Sequence, residues 1–151
     1  MALSVGTKAP TFTAKDTNGN DVSLDALTGK TIVLYFYPKD DTPGCTKEAC
    51  SFRDNYSAYE GKDIVVFGVS TDGTESHQQF TKKFNLPFPL LADTDGAITK
   101  AYDAVYPGLD VLISSRVTYV IDGSGTISHV YTSVNTETHA TDILRDLGLA
   151  D

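Results

Sequence analysis

The chain has 151 residues, 40% of them hydrophobic and 21% charged, which suits one packed domain spanning residues 1–151. Its formal net charge of -8 disfavours nucleic acid and acidic membrane surfaces as partners, because both attract a basic surface. The N-terminal stretch has neither the pattern of a signal peptide nor an apolar membrane span, so we expect a cytoplasmic protein.

The first half of the sequence predicts a strand–helix–strand unit preceded by a hairpin. The hairpin is expected over residues 12–24, in which an Asn-Gly pair marks the turn. Apolar, β-branched runs at 31–38 and 63–70 are typical of strands buried on both faces. Between them we predict a helix that begins near Thr42 and ends before Gly61. This order indicates a βαβ unit, whose strands are parallel.

The second half predicts shorter elements around a second hairpin. They are a helix over 74–85, a strand within 86–93, a helix over 96–105, strands at 116–122 and 126–132 around a Gly-Ser-Gly turn, and a helix that begins near Thr136 and Glu137 and ends near Gly148. We therefore predict an α/β domain. Its mixed sheet should be parallel in the middle and antiparallel toward the second hairpin.

The segment TPGCTKEAC, residues 42–50, contains both cysteines of the chain. Thr42 is a favoured N-cap residue and Pro43 is favoured at the first helical position. Cys45 then lies in the first helical turn, near backbone N–H groups without acceptors and the positive end of the helix dipole. This position lowers the pKa of a thiol and favours the nucleophilic thiolate. Cys45 is therefore a candidate nucleophile.

Helical spacing separates the two cysteines. One stripe of the predicted helix, expected to face the sheet, consists of Cys45, Ala49, Phe52, Tyr56 and Tyr59. Cys50 lies about 140° away, on the polar side. Residues five apart in a regular helix have Cα atoms roughly 8.6 Å apart, whereas a disulfide needs about 7 Å or less. A bond between Cys45 and Cys50 therefore requires this helix to unwind.

Several other interpretations of the cysteines are open at this point. Cys45 suits an inert core residue, and the pair suits a structural disulfide less well. A zinc site needs about four ligands, and the three histidines, which we expect on the surface, lack helpful spacing; they are His77, His129 and His139. The redox motif of thioredoxin has two residues between its cysteines, and here there are four.

Charged residues near Cys45 act in opposite directions. Asp40 and Asp41 would raise the pKa of the thiol unless they point outward. A positive partner is therefore needed, and Arg53 or Arg116 can supply it. The residues alone favour neither arginine.

The stretch YPKDDTPGCTKEAC, residues 37–50, resembles the peroxiredoxins, and in particular the Q subfamily, also called the bacterioferritin comigratory protein type or atypical two-cysteine type. The active-site pattern of the family is P-x-x-x-T-x-x-C, which Pro38, Thr42 and Cys45 match. A second cysteine five positions later, with a glutamate between, marks the subfamily. Residues 5–38 and 114–122 also resemble family segments, so the resemblance covers nearly the whole chain.

The resemblance implies a thioredoxin-like fold, with a central mixed sheet flanked by helices and an N-terminal β-hairpin. It also implies a thiol-dependent peroxidase that reduces hydrogen peroxide and organic hydroperoxides. Cys45 would be the peroxidatic cysteine and Cys50 the resolving cysteine, joined in an intramolecular disulfide during turnover. Thr42 would hold the peroxide and the thiolate, Arg116 would stabilise the developing charge, and Pro38 would shield the thiolate from water.

The resemblance also bears on cofactors and partners. Thioredoxin or a similar dithiol protein would reduce the disulfide, and no metal, haem or flavin is required. The sequence ends without a further cysteine, which favours a monomer over the dimeric two-cysteine type. A peroxide sensor and a protein disulfide oxidoreductase are the alternative functions. The apolar stretch 106–115 is expected to be packing rather than a collar around the active site.

Overall fold

The structure is a computed structural model that describes residues 2–108 and 112–149. In this part of the chain one sheet has the strands β1 (Thr13–Asp16), β2 (Asp21–Ser23), β3 (Thr31–Phe36), β4 (Ile64–Ser70), β5 (Leu90–Ala92), β6 (Val117–Ile121) and β7 (Ile127–Tyr131). The helices are α1 (Pro43–Asp54), α2 (Tyr56–Gly61), α3 (Thr74–Phe84), α4 (Ala97–Ala101) and α5 (His139–Asp146).

The sheet has the order β2-β1-β5-β4-β3-β6-β7. Its central pairs, β3 with β4 and β4 with β5, are parallel. The pairs β3 with β6 and β6 with β7 are antiparallel, as are the two pairs that β1 makes. The prediction of a mixed sheet, with an N-terminal hairpin and an antiparallel side, is confirmed.

Strand β3 is an interior strand whose side chains pack on both faces of the sheet. Val33 and Tyr35 belong to an apolar layer with α1, α3 and α5. Ile32, Leu34 and Phe36 point into the opposite layer, with α4 and the N-terminal segment. All five are at most 2% exposed. This two-sided burial is what the continuous apolar run predicted.

Helix α4 ends at Ala101, four residues before the predicted end at 105, and two other helix boundaries also differ from the sequence prediction. The helix expected to end before Gly61 is interrupted at Asn55. The side-chain amide of Asn55 donates to Ser51 O at 2.8 Å and competes with the helical backbone bonds. The last helix begins at His139 instead of Thr136. Ahead of this helix, the Glu137 N–H donates a hydrogen bond to the side-chain oxygen of Asn135. This bond closes a turn that precedes the helix.

None of the helices within residues 2–108 and 112–149 is long and apolar enough to cross a bilayer. The prediction for the stretch 106–115 lies partly outside the described residues, because they do not include 109–111. At the near end of that stretch, Tyr106 is 42% exposed.

Candidate active site

Cys45 lies in the first turn of α1, as predicted. Thr42 occupies the N-cap position with an extended backbone, and Pro43 is the first helical residue. The N–H groups of such a turn have no acceptor within the helix and present its positive end. Cys45 is only 1% exposed, so water screens this field weakly at the sulfur.

Thr42 and Pro38 lie in the loop between β3 and α1. The Thr42 hydroxyl makes no capping bond to the helix and instead donates to Lys39 O at 3.1 Å. With its proton engaged, the Thr42 oxygen is left as an acceptor for a ligand. Pro38 is half-buried just after the last residues of the strand.

Arg116, immediately before β6, is the arginine that contacts the thiol. Its Nη2 lies 3.3 Å from Cys45 Sγ, and the same guanidinium donates through Nη1 to Glu48 Oε1 at 2.6 Å. A Cβ atom at Gly44 would approach Arg116 Nη2 to 3.1 Å, so glycine leaves room for this approach. Arg53 instead donates to Asp54 and to Phe84 O. The residues alone favoured neither arginine, and the resemblance implied Arg116; the contact to the thiol is made by Arg116.

Glu48 is a site residue that reasoning from the residues did not assign. Its side chain is fully buried, one helical turn after Cys45. Burial raises the pKa of Glu48 from 4.5 to about 7, against the opposing effect of the Arg116 charge. Its second oxygen, Oε2, has no hydrogen-bond partner among the described residues. A signal was present in the sequence, since a charged residue three positions after Cys45 falls beside the apolar stripe.

His139 lies behind Glu48, and the expectation that the histidines are on the surface was wrong for it. It is 1% exposed. Its Nε2 is 2.8 Å from Thr118 Oγ1 and 3.8 Å from Glu48 Oε2. Its ring stands edge-on to Phe52 of α1. Burial lowers the pKa of His139 from 6.5 to about 4, so this histidine is neutral at pH 7.

His77 on α3 is also buried, at 0% exposure, which is the second error about the histidines. It contacts Asp40, whose carboxylate is likewise buried. Asp41, in contrast, points outward and pairs with Lys83 at 2.8 Å. The two carboxylates that would raise the pKa of the thiol are therefore each paired with another group. His129, on β7, is half-buried.

Cys50 lies on a different face of α1 and is half-buried. Burial raises the pKa of this thiol, the Arg53 charge lowers it, and the Asp54 charge raises it. Both cysteines are free and belong to one uninterrupted helix, Pro43–Asp54. The regular helix on which the predicted unwinding depends is therefore present. Among the described residues, no group of three or more His, Cys, Asp or Glu side chains is arranged to hold a metal ion.

Comparison with known proteins places this geometry in a family. Residues 5–130 match the AhpC/TSA family. A putative peroxiredoxin bcp of Coxiella burnetii is 43% identical over 95% of this chain and 98% of its own length. The chain is a peroxiredoxin of the AhpC/TSA family. The peroxiredoxin Bcp of Bacillus subtilis is 40% identical, over 97% of this chain and 96% of its own.

Other peroxiredoxins show the same likeness over part or all of their length. The chloroplastic peroxiredoxin Q of Triticum aestivum is 45% identical over 85% of this chain, which spans 59% of that protein. The crystal structure of a cysteine-to-serine mutant of Xylella fastidiosa PrxQ superposes with a TM-score of 0.91, at 28% identity, over 98% of this chain and 97% of the other. These relatives confirm the Q-type resemblance and the thioredoxin-like fold. The protein is a thiol-dependent peroxidase, an oxidoreductase.

Proposed function

We propose that Cys45 is the peroxidatic cysteine of this peroxidase. Its thiolate sulfur attacks one oxygen of the hydroperoxide, the O–O bond breaks, and the products are a sulfenic acid on Cys45 and an alcohol or water. The observation that carries this assignment is the contact between the Cys45 sulfur and Arg116 Nη2, 3.3 Å long, at the start of α1. The guanidinium and the helix dipole favour the thiolate and the negative charge on the leaving oxygen.

Thr42 and Pro38 complete the proposed site. The Thr42 oxygen, whose proton is directed at Lys39 O, accepts the O–H of the hydroperoxide and orients it toward the sulfur. Pro38 covers the thiolate on the loop side and limits the approach of water. Hydrogen peroxide and organic hydroperoxides are both proposed substrates, since this chemistry needs only the O–O bond.

We propose that Cys50 resolves the sulfenic acid. Its thiolate attacks the Cys45 sulfur, a disulfide forms, and water leaves. Because both cysteines belong to one regular helix, α1 must unwind for the sulfurs to meet. Unwinding breaks its contacts with the rest of the fold, such as the bond from Arg53 to Phe84 O and that from Ala140 N–H to Ser51 Oγ.

The unwound disulfide form is accessible to a protein reductant. We propose that thioredoxin or a similar dithiol protein reduces it, and that the protein works as a single-domain monomer in the cytoplasm. Among the described residues only three large apolar side chains are exposed, Val5, Val105 and Tyr106, which supports the monomer. Light scattering of the reduced and oxidised protein measures the oligomeric state.

Rapid mixing of the reduced protein with hydrogen peroxide, followed by mass analysis, tests the proposal. The wild type should lose two hydrogens as a Cys45–Cys50 disulfide forms. Cys45→Ser should not consume peroxide. Cys50→Ser should complete one fast turnover and stop at the sulfenic acid. Full turnover by Cys45→Ser would refute the assignment, and a single turnover by the wild type with thioredoxin, its reductase and NADPH would favour a sensor.

A further inference from the structure

A buried histidine that the proposed mechanism does not use, His77, has an acceptor at each ring nitrogen. Nε2 is 2.9 Å from Leu91 O, and Nδ1 is 2.7 Å from Asp40 Oδ2. A carbonyl oxygen only accepts hydrogen bonds, so Nε2 must carry a hydrogen. A neutral imidazole has one N–H, which leaves Nδ1 bare unless the ring is protonated. The contact with Asp40 therefore needs one further proton.

Asp40 already accepts hydrogen bonds from other side chains. Tyr37 donates its hydroxyl to Oδ1 at 2.5 Å, and Ser76 donates to Oδ2 at 2.8 Å. These donors suit an ionised carboxylate, and the carboxylate is only 4% exposed. A buried carboxylate of this kind requires a positive partner. A protonated His77 supplies that charge and satisfies both of its own nitrogens.

Asp40 belongs to the loop that leads into α1, and His77 contacts it from α3. Asp40 is five residues before Cys45, and its backbone N–H is bound to Asp72 Oδ2 at 2.7 Å. The Tyr37 ring stacks on Tyr35, which in turn stacks on Phe52 of α1. The pKa of Tyr35 is raised well above 10, first by burial and then by the charges of Glu48, Cys45 and Asp40. The charges of Asp40 and Cys45 thus both act on the Tyr35 side chain.

We propose that His77 is a positioning residue for the peroxidase reaction. The second ring proton of His77 neutralises Asp40, which removes a buried negative charge that would oppose the Cys45 thiolate. The proposal rests on the role assigned to Cys45 above. It explains how an acidic pair, Asp40 and Asp41, can directly precede a helix that must stabilise a thiolate. The Asp41 carboxylate pairs with Lys83 at the exposed surface, where solvent screens its charge.

Polar and charged groups contact both ends of this arrangement in the part of the chain that the structure describes. The His77–Asp40 pair contacts the hydroxyl groups of Tyr37 and Ser76 and the carbonyl of Leu91, and the Asp40 backbone N–H donates to the Asp72 carboxylate. The Asp72 carboxylate lies beside Asp40 and so favours the same protonated imidazole. Cys45 is faced by Arg116, with Glu48 behind it. Arg116 therefore already binds Glu48 as well as the Cys45 sulfur, and an uncompensated charge on Asp40 would weaken its effect on the thiolate.

The test measures the pH midpoint of Cys45 thiolate formation in a Cys50→Ser background. Alkylation by iodoacetamide reports the thiolate, and hydrogen peroxide consumption in a single turnover is measured in parallel. His77→Asn places an amide N–H where Nδ1 stands, without charge, and should raise the midpoint by about half a pH unit or more. Below the midpoint, the peroxide rate then falls about threefold or more.

Adding Asp40→Asn to His77→Asn removes the uncompensated charge and should return the midpoint to that of the parent. His129→Asn, which removes the half-buried histidine on β7, is the matched control and should leave the midpoint in place. Nitrogen-15 NMR of the wild type, which needs no variant to fold, should show both ring nitrogens of His77 protonated at pH 7.

Three outcomes overturn the proposal. The first is an unchanged pH midpoint in His77→Asn. The second is a midpoint in the double variant that is shifted as far as in His77→Asn alone. The third is a wild type in which Nδ1 of His77 carries no hydrogen. A merely structural role would lower the rate at every pH without moving the midpoint. The alkylation arm does not depend on peroxidase chemistry. A wild type that alkylates at Cys45 but leaves peroxide intact would therefore contradict the proposed role of Cys45, and not the role of His77.

Discussion

Replacing Glu48 by glutamine is expected to change how the stability of the fold depends on pH. The Glu48 carboxylate is fully buried, and its pKa in the folded protein is about 7, against an ordinary value of 4.5. Between these values the folded state binds more protons than the unfolded state. The free energy of unfolding therefore falls as the pH rises through this window.

The size of this effect follows from the two pKa values. The gap between 4.5 and about 7 corresponds to about 3 kcal/mol. The wild type should lose this amount from Glu48 on going from pH 4.5 to about 7.5, and Glu48→Gln should not. His139 acts in the opposite direction, because its pKa is lowered from 6.5 to about 4, so its contribution is lost as the pH falls through that range. In Glu48→Gln only the contribution of His139 remains, so the free energy of unfolding of this variant should rise with pH over that range.

Urea unfolding of the reduced proteins, at several pH values from 4.5 to 8, measures these slopes. The unfolding free energy of Glu48→Gln minus that of the wild type should increase by about 3 kcal/mol across the range. The control is Glu137→Gln, which removes an exposed carboxylate and should show a much smaller change. Parallel pH profiles for the wild type and Glu48→Gln would refute the reasoning, whatever the absolute stability of the variant.

Three further predictions concern the contacts around α1. Arg116→Lys keeps the charge but loses the second planar donor, so stopped-flow should show a peroxide rate constant about ten- to a hundredfold lower; an unchanged rate would contradict this. Ser51→Ala leaves the buried Ala140 N–H without its acceptor and should cost about 1–2 kcal/mol in urea unfolding, unlike exposed Ser57→Ala. Amide exchange across residues 42–55 should be much faster in the disulfide form, and equal protection would rule out unwinding.

The start of α1 could be predicted because it depends on residues that are close in the sequence. Thr42 and Pro43 favour the first turn by their own backbone preferences, which places Cys45 at the positive end of α1. The burial of β3 could also be predicted, since a continuous apolar run suits a strand covered on both faces. The Thr42 side chain was less readable, because its donation to Lys39 O depends on the path of the loop.

The charges around the sulfur could not be predicted in this way. Arg53 lies eight positions from Cys45 and Arg116 lies 71 away, yet the distant one makes the contact. His77 shares a helical stripe with Phe80 and Phe84, which was a signal of burial, but its acceptors come from other parts of the chain. The same is true of His139 and Thr118.

By itself, the sequence predicted a candidate nucleophile, Cys45, its place in the first helical turn and the spacing that keeps the two cysteines apart. These follow from torsional preferences and helical geometry, which act over a few residues. Only the tertiary structure decided which arginine reaches the sulfur, which histidines are buried, and which groups contact the carboxylates near Cys45. The physical reason is that charge pairing and desolvation depend on distance in space, and the folded sheet brings together residues that the chain order keeps far apart.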